Sequence, residues 1–312
     1  MGTFNLMSDT ASLVLIPTKC AICGTDGNAK EIYPANFAPE AFAPEIFSAR
    51  RLPDRIHYRM VRCNECGLLR SDPVAPDELI SSLYAKSTFD YGAEVSGLCE
   101  TYGNYLDIAA GERSRKLSVL EIGCGNGFFL KEALKRGYGP VHGVEPSTAA
   151  TSAADPEVIG SIACDIMKPG LFPSESFDII CMFQVFDHLS QPGQVLKESF
   201  DLLRPGGKLL CINHNVSAVS ARILGERSPI IDIEHTYLYD PETMTRIVSN
   251  YGFSVERTGA VWNKYSLSYL LRLVPMPTAI KKSLLSALRM ARLGNLHFKV
   301  PLGNLFLVAR KP

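Results

Sequence analysis

The sequence predicts an α/β fold in which seven strands and their connecting helices build a doubly wound sheet, preceded by a small cysteine-rich segment. Three observations carry this expectation. From Leu117 onward short apolar runs alternate with amphipathic stretches, the texture of a parallel sheet covered on both faces. One of those runs leads into alternating glycines, Gly123, Gly125 and Gly127, and then into a helical stretch. Residues 17–75, by contrast, are rich in Pro, Cys and short β-like runs and show no long helical period. The chain therefore divides into an N-terminal segment 1–75, a helical linker 76–116 and a core 117–312 with a helical insertion at 262–300.

Taken in order, residues 76–112 read as helices, with Pro76 near the start of one and Gly111 closing another. The strand candidates that follow are 117–123, 141–145, 158–164, 177–183, 207–213, 253–260 and 304–311, with helices near 128–137, 191–203 and 241–251. Arg204-Pro205-Gly206-Gly207 ends a helix and turns into a strand. Asp240-Pro241-Glu242-Thr243 starts one with an N-cap and a proline at its first position. In the insertion, Ala279–Leu293 forms an apolar stripe flanked by Lys281, Lys282, Arg289 and Arg292. Such a helix suits cover for a substrate pocket or a dimer face. The sequence also leaves open peripheral contact with a membrane through 279–293.

Composition bounds the function. In 312 residues, 32 Lys and Arg balance 32 Asp and Glu, and 46% of residues are hydrophobic, so the chain buries a core. Zero net charge argues against a surface built to neutralise nucleic-acid phosphates. There is no run of 18 apolar residues and no basic, cleavable leader at the start, which predicts a cytoplasmic protein. Nine cysteines, with Cys164, Cys181 and Cys211 inside apolar runs, predict reduced core thiols rather than disulfides.

The glycine segment Glu121-Ile122-Gly123-Cys124-Gly125-Asn126-Gly127 lets a ligand approach the backbone at a strand's carboxyl end. A dinucleotide fingerprint needs a small residue at 128, where Phe128 stands, so the nicotinamide reading is weakened; a tight turn without ligand is the bland alternative. Glu145 ends the next strand, placed to accept from ribose hydroxyls, and Asp165 follows the third, suited to a purine amino group.

Together these motifs resemble those of the class I S-adenosylmethionine-dependent methyltransferases: LEIGCGNG (120–127), VEPS with Glu145, CDI with Asp165, FDIICMFQVFDHLSQP (177–192) and LLRPGGKLLCINHN (202–215). The resemblance implies a Rossmann-like seven-stranded sheet with an antiparallel last strand. It implies a cofactor site made of Glu121, Gly123, Cys124, Gly125, Gly127, Glu145, Pro146, Asp165, Ile166 and Gln184. Where the family more often has Leu-Glu-His, this chain has Phe186-Asp187-His188.

Cys20-x-x-Cys23-Gly and Cys63-x-x-Cys66-Gly form two knuckles whose four thiolates suit a structural zinc ion with no open position. A redox role for either pair lacks a thioredoxin-like frame. The pairing of this segment with such a core resembles bacterial sugar-nucleotide and glycan-pathway methyltransferases; certain rRNA methyltransferases share it, but the neutral charge points away from them. The expected function is methyl transfer to a small or carrier-linked metabolite, a sugar or glycan precursor. The alternative is an inactive, zinc-stabilised interaction module on the same scaffold. The sequence does not set the oligomeric state.

A hydroxyl or carbon acceptor needs a base, and histidine serves near neutral pH. His188, just past the fourth strand, and the Glu234-His235 pair, which resembles the segment bearing the base in sugar C-methyltransferases, are the catalytic candidates. His214, at the end of strand five, ranks third.

Overall fold

The computed structural model describes residues 14–37, 56–86, 95–112, 116–274 and 276–312. The N-terminal part contributes strands β1 (Ala29–Tyr33), β2 (Met60–Cys63) and β3 (Leu69–Ser71), then helices α1 (Asp77–Lys86) and α2 (Val95–Ala110). The core continues with β4 (Val119–Ile122), α3 (Phe128–Lys135), β5 (Val141–Val144), α4 (Thr148–Ser152), β6 (Ile162–Ala163), β7 (Phe177–Phe183), α5 (Pro192–Leu202) and β8 (Leu203–His214). It ends with α6 (Val219–Leu224), β9 (Tyr237–Leu238), α7 (Pro241–Asn250), β10 (Ser254–Ala260), β11 (Asn263–Ser266), α8 (Leu267–Leu273), α9 (Thr278–Met290), β12 (His297–Val300) and β13 (Asn304–Arg310).

Seven strands form the central sheet in the order β10-β13-β8-β7-β4-β5-β6. β4 to β8 are mutually parallel, and β13 runs antiparallel to both its neighbours, as the resemblance implied. Both faces are buried because consecutive strand residues are apolar and point to opposite sides. Leu120, Ile180, Met182, Leu209 and Cys211 face a layer that includes Val195 and Leu196 of α5 and Met244 and Ile247 of α7. Val119, Ile179, Cys181, Leu210 and Ile212 face Leu106 of α2 with Phe129 and Leu130 of α3. Each such fully buried side chain contributes about 1.5–3 kcal/mol.

The Asp-Pro-Glu-Thr start of α7 closes a capping box: Thr243 N donates to Asp240 Oδ1 at 2.8 Å and Asp240 N to Thr243 Oγ1 at 2.9 Å.

Four features depart from the sequence expectation. The third core strand shrinks to Ile162–Ala163, preceded by a 3-10 turn at Ile159–Ser161, because it sits at the sheet edge with only β5 to pair with. Cys164, expected in the core, is consequently exposed, whereas Cys181 and Cys211 are fully buried. The insertion is not purely helical, since β11 and β12 pair antiparallel from Asn263↔Val300 to Ser266↔His297. Finally, the N-terminal segment is not a self-contained sheet: β9, from deep in the core sequence, pairs with β3 to complete the order β1-β2-β3-β9.

Candidate active site

β4 delivers the chain to the glycine segment, where Gly123 (φ 74), Gly125 (φ 55) and Gly127 (φ 72) all take left-handed conformations before α3 begins at Phe128. Gly123 is required twice over, because a Cβ there would lie 2.3 Å from Val185 Cγ2. Glu145, one residue past β5, accepts from Gly125 N at 2.9 Å and from Ser147 N at 2.8 Å, so its carboxylate is fixed against the loop. Pro146 sits between these anchors. Asp165, just after the neighbouring β6, accepts from Ile166 N at 2.8 Å and pairs with Lys168 at 2.5 Å, which with Ile166 N holds its carboxyl below the ordinary value. Ile166 presents an exposed side chain. Cys124 is buried, its thiol directed at the Gly125 carbonyl.

Around this loop, three buried acceptors receive no hydrogen bond from the described residues: Glu121 Oε2, Asn126 Oδ1 and Gln184 Oε1. Gln184 also carries a positive φ of 55° at the carboxyl end of β7. Burial, and then the nearby Glu145, push the Glu121 carboxyl well above its usual range. Buried acceptors without donors are costly, and the set fits a ligand that brings N–H donors and positive charge.

A second constellation lies at the carboxyl ends of β7 and β8. Asp187 is fully buried and its Oδ2 is 2.5 Å from His214 Nδ1. His188 Nε2 stands 3.8 Å from Asp187 Oδ1. The His235 ring packs between the other two imidazoles, with centroids 4.7 Å from His188 and 4.7 Å from His214. Burial would raise the Asp187 carboxyl, but the imidazole of His214, and then His188 and His235, hold it well below the carboxylate range. Burial also lowers His188 to about 3 and lowers His235, so both are neutral at physiological pH. His235 Nδ1 is 2.8 Å from the Ile230 carbonyl, and the His188 ring is bonded to the backbone of Glu234.

The structure thus gathers the two candidate histidines but places the Glu234 backbone, rather than a carboxylate–imidazole pair, against His188. Within this cluster the carboxylate that engages an imidazole is Asp187, noted in the sequence only as the acid of Phe186-Asp187-His188, on His214, which ranks third there. The signal was present as an acid four residues past β7 and a histidine ending the adjacent β8.

The four cysteines come together, their sulfur atoms within 4.8 Å of one another and Cys20 Sγ 3.3 Å from Cys66 Sγ. Gly24 (φ 70) and Gly67 (φ 80) turn each knuckle so that their amides bond to the carbonyls of Cys20 and Cys63. Burial opposes ionisation of Cys63, yet the amides of Cys66 and Glu65 bring its thiol down to about 7. Burial pushes Cys23 up to about 11. The donor set fits a tetrahedral thiolate-bound ion.

This cysteine module grips the histidine loop. Ser71 Oγ donates to the His235 carbonyl at 2.8 Å, Ser71 N to the Thr236 carbonyl at 2.9 Å and Tyr237 Oη to the Lys19 carbonyl at 3.0 Å. From the other side, Thr236 N and Tyr237 N both donate to the Asp187 carbonyl.

A family model described as "Methyltransferase domain" matches residues 94–258, just over half the chain. The ubiquinone biosynthesis O-methyltransferase of Cupriavidus pinatubonensis is 28% identical over 186 residues, 54% of this chain and 72% of that protein. The protein of the same name from Coxiella burnetii is 32% identical over 114 residues, 34% of this chain and 48% of its own length. Among solved structures, an S-adenosylmethionine-dependent methyltransferase from Aquifex aeolicus aligns with a TM-score of 0.45 and 16% identity, over 70% of this chain and 93% of that one.

Proposed function

The chain belongs to the S-adenosylmethionine-dependent methyltransferase family, and on that premise we propose that it methylates an oxygen of a small acceptor, with His214 taking the proton. The observation that carries this reading is the 2.5 Å pairing of His214 Nδ1 with the buried Asp187. A carboxylate held ionised can only accept, so Nδ1 carries the hydrogen and Nε2 is left with its lone pair. The His214 side chain is part-exposed, whereas His235 is buried.

S-adenosylmethionine, when bound, supplies a methyl group on a sulfonium, whose neutral thioether leaves without acid assistance. Glu145 and Asp165 follow adjacent strands and would hold the ribose hydroxyls and the adenine amine. Glu121, Asn126 and Gln184 would offer their unfilled acceptors to the ammonium group, and positive charge beside Glu121 would offset the burial that disfavours its ionisation. His214 Nε2 would take the proton of the acceptor hydroxyl. Asp187 stabilises the imidazolium that results. His188 and His235 stay neutral; they pack the cluster and position the His214 ring.

The relatives' name specifies an oxygen acceptor and no sugar. The sugar or glycan precursor expected from the cysteine segment is itself a hydroxyl acceptor and belongs first in a substrate panel. Zinc on Cys20, Cys23, Cys63 and Cys66 would be structural, since four thiolates leave no open position. The test is methyl transfer from S-adenosylmethionine to a panel of hydroxyl acceptors by the native chain and His214→Ala. Loss of turnover by about 10²–10⁴-fold with retained S-adenosylhomocysteine affinity is expected. Undiminished turnover removes His214 from the mechanism.

A further inference from the structure

The insertion between β10 and β13 differs in charge and surface from the rest of the molecule. Between Trp262 and Val300 the sequence holds Lys264, Arg272, Lys281, Lys282, Arg289, Arg292 and Lys299 and no Asp or Glu, in a protein whose 32 Lys and Arg are matched by 32 Asp and Glu only over its whole length. The same stretch holds eight of the fifteen large hydrophobic side chains exposed among the described residues, including Trp262 (57%), Ile280, Leu284, Met290 (84%), Leu293 and Phe298. No residue of α9 is buried. The helix packs against α8, and the β11–β12 ladder ties the unit together. None of the described helices is long and apolar enough to cross a membrane.

We propose that this insertion is a docking surface for an anionic phospholipid bilayer, with α9 lying in the interface. Two properties must be satisfied at once, an acid-free run of seven cations and uncovered aliphatic side chains among them. A second copy of the chain satisfies only the second, because two such faces would set seven cations against seven. A nucleic acid satisfies only the first, since its phosphates leave Leu284, Met290 and Leu293 in water. An anionic bilayer takes both: lipid headgroups meet Lys and Arg, and the acyl boundary receives the apolar side chains. The proposal does not depend on which atom the enzyme methylates.

Trp262 is the only tryptophan of the chain, so its emission reports this surface alone. The experiment is a titration of the full chain with phosphatidylcholine vesicles with and without phosphatidylglycerol, following tryptophan emission and co-sedimentation. A blue shift and sedimentation are expected only with phosphatidylglycerol, weakened by salt. In K282Q/R289Q/R292Q/K299Q partition should fall roughly six-hundredfold, at about fivefold per cation. In L284S/M290S it should fall about tenfold at unchanged charge. Both variants should keep the native circular dichroism and S-adenosylhomocysteine affinity, which separates loss of the surface from loss of fold. No shift with anionic vesicles, or equal binding by the four-glutamine variant, overturns the proposal. So does a concentration-dependent dimer through this face, or RNA binding by a chain that ignores vesicles.

Discussion

Disrupting the four-cysteine module should lower turnover while sparing cofactor binding. The perturbation is Cys63→Ser, which deletes one of the four converging thiols. If the module loosens, the histidine loop loses Ser71 Oγ–His235 O, Ser71 N–Thr236 O and Tyr237 Oη–Lys19 O, three bonds of 2.8, 2.9 and 3.0 Å. At about 1 kcal/mol net each, their loss shifts the loop's equilibrium by about 3 kcal/mol, on the order of a hundredfold. The two bonds from Thr236 N and Tyr237 N to Asp187 remain, so this is an upper figure for the fall in kcat. The glycine segment is held by β4, β5 and Glu145 and shares none of these bonds, so S-adenosylhomocysteine affinity should stay within about twofold. The assay is kcat beside calorimetric Kd, with zinc content measured on the same sample. Unchanged kcat in zinc-free protein refutes the coupling, and so does a Kd that worsens in step with kcat.

Two further outcomes follow from the site. Glu145→Ala removes the carboxylate bonded to Gly125 N and Ser147 N, and S-adenosylhomocysteine binding should weaken about 10–100-fold in calorimetry, the scale of a lost charged hydrogen bond. Stability should fall with acid. His188, lowered to about 3 by burial, stays neutral when folded while its unfolded counterpart titrates near 6.5, so the unfolded chain binds the extra proton and stability is lost as pH falls from 6.5 toward 3. His235, also lowered, adds in the same direction, whereas the contribution of the depressed Asp187 carboxyl is lost only below its ordinary value of 3.8. Urea midpoints measured across that range should drop, with a shallower slope in His188→Asn.

Much of this molecule was legible in local pattern. The continuous apolar runs of β4, β7 and β13 announce strands buried on both faces, and the alternating glycines after β4 mark where a backbone must turn left-handed. The Cys-x-x-Cys-Gly spacing likewise foretells knuckles that meet in space. What escaped depends on distant registry. β9 is two residues long and exists only because β3 offers it an edge, so no periodicity could reveal it. The short β6 fails for the opposite reason, an edge position that gives an apolar run only one partner. The Asp187–His214 pair joins residues 27 apart in sequence, brought together because β7 and β8 are neighbours. The Glu234-His235 dipeptide is visible locally, but the chain turns it so that the Glu234 backbone, bonded to the His188 ring, is what meets the cluster.

The Asp187–His214 pairing is tested most sharply by Asp187→Asn, with kcat/KM for a hydroxyl acceptor and Kd for S-adenosylhomocysteine measured side by side across pH. Asparagine keeps the shape but cannot hold His214 in the tautomer that leaves Nε2 free or stabilise its protonated form. The variant's kcat/KM should fall about 10²–10⁴-fold with cofactor affinity unchanged. Turnover equal to that of the native chain would contradict it, as would parallel losses in turnover and binding.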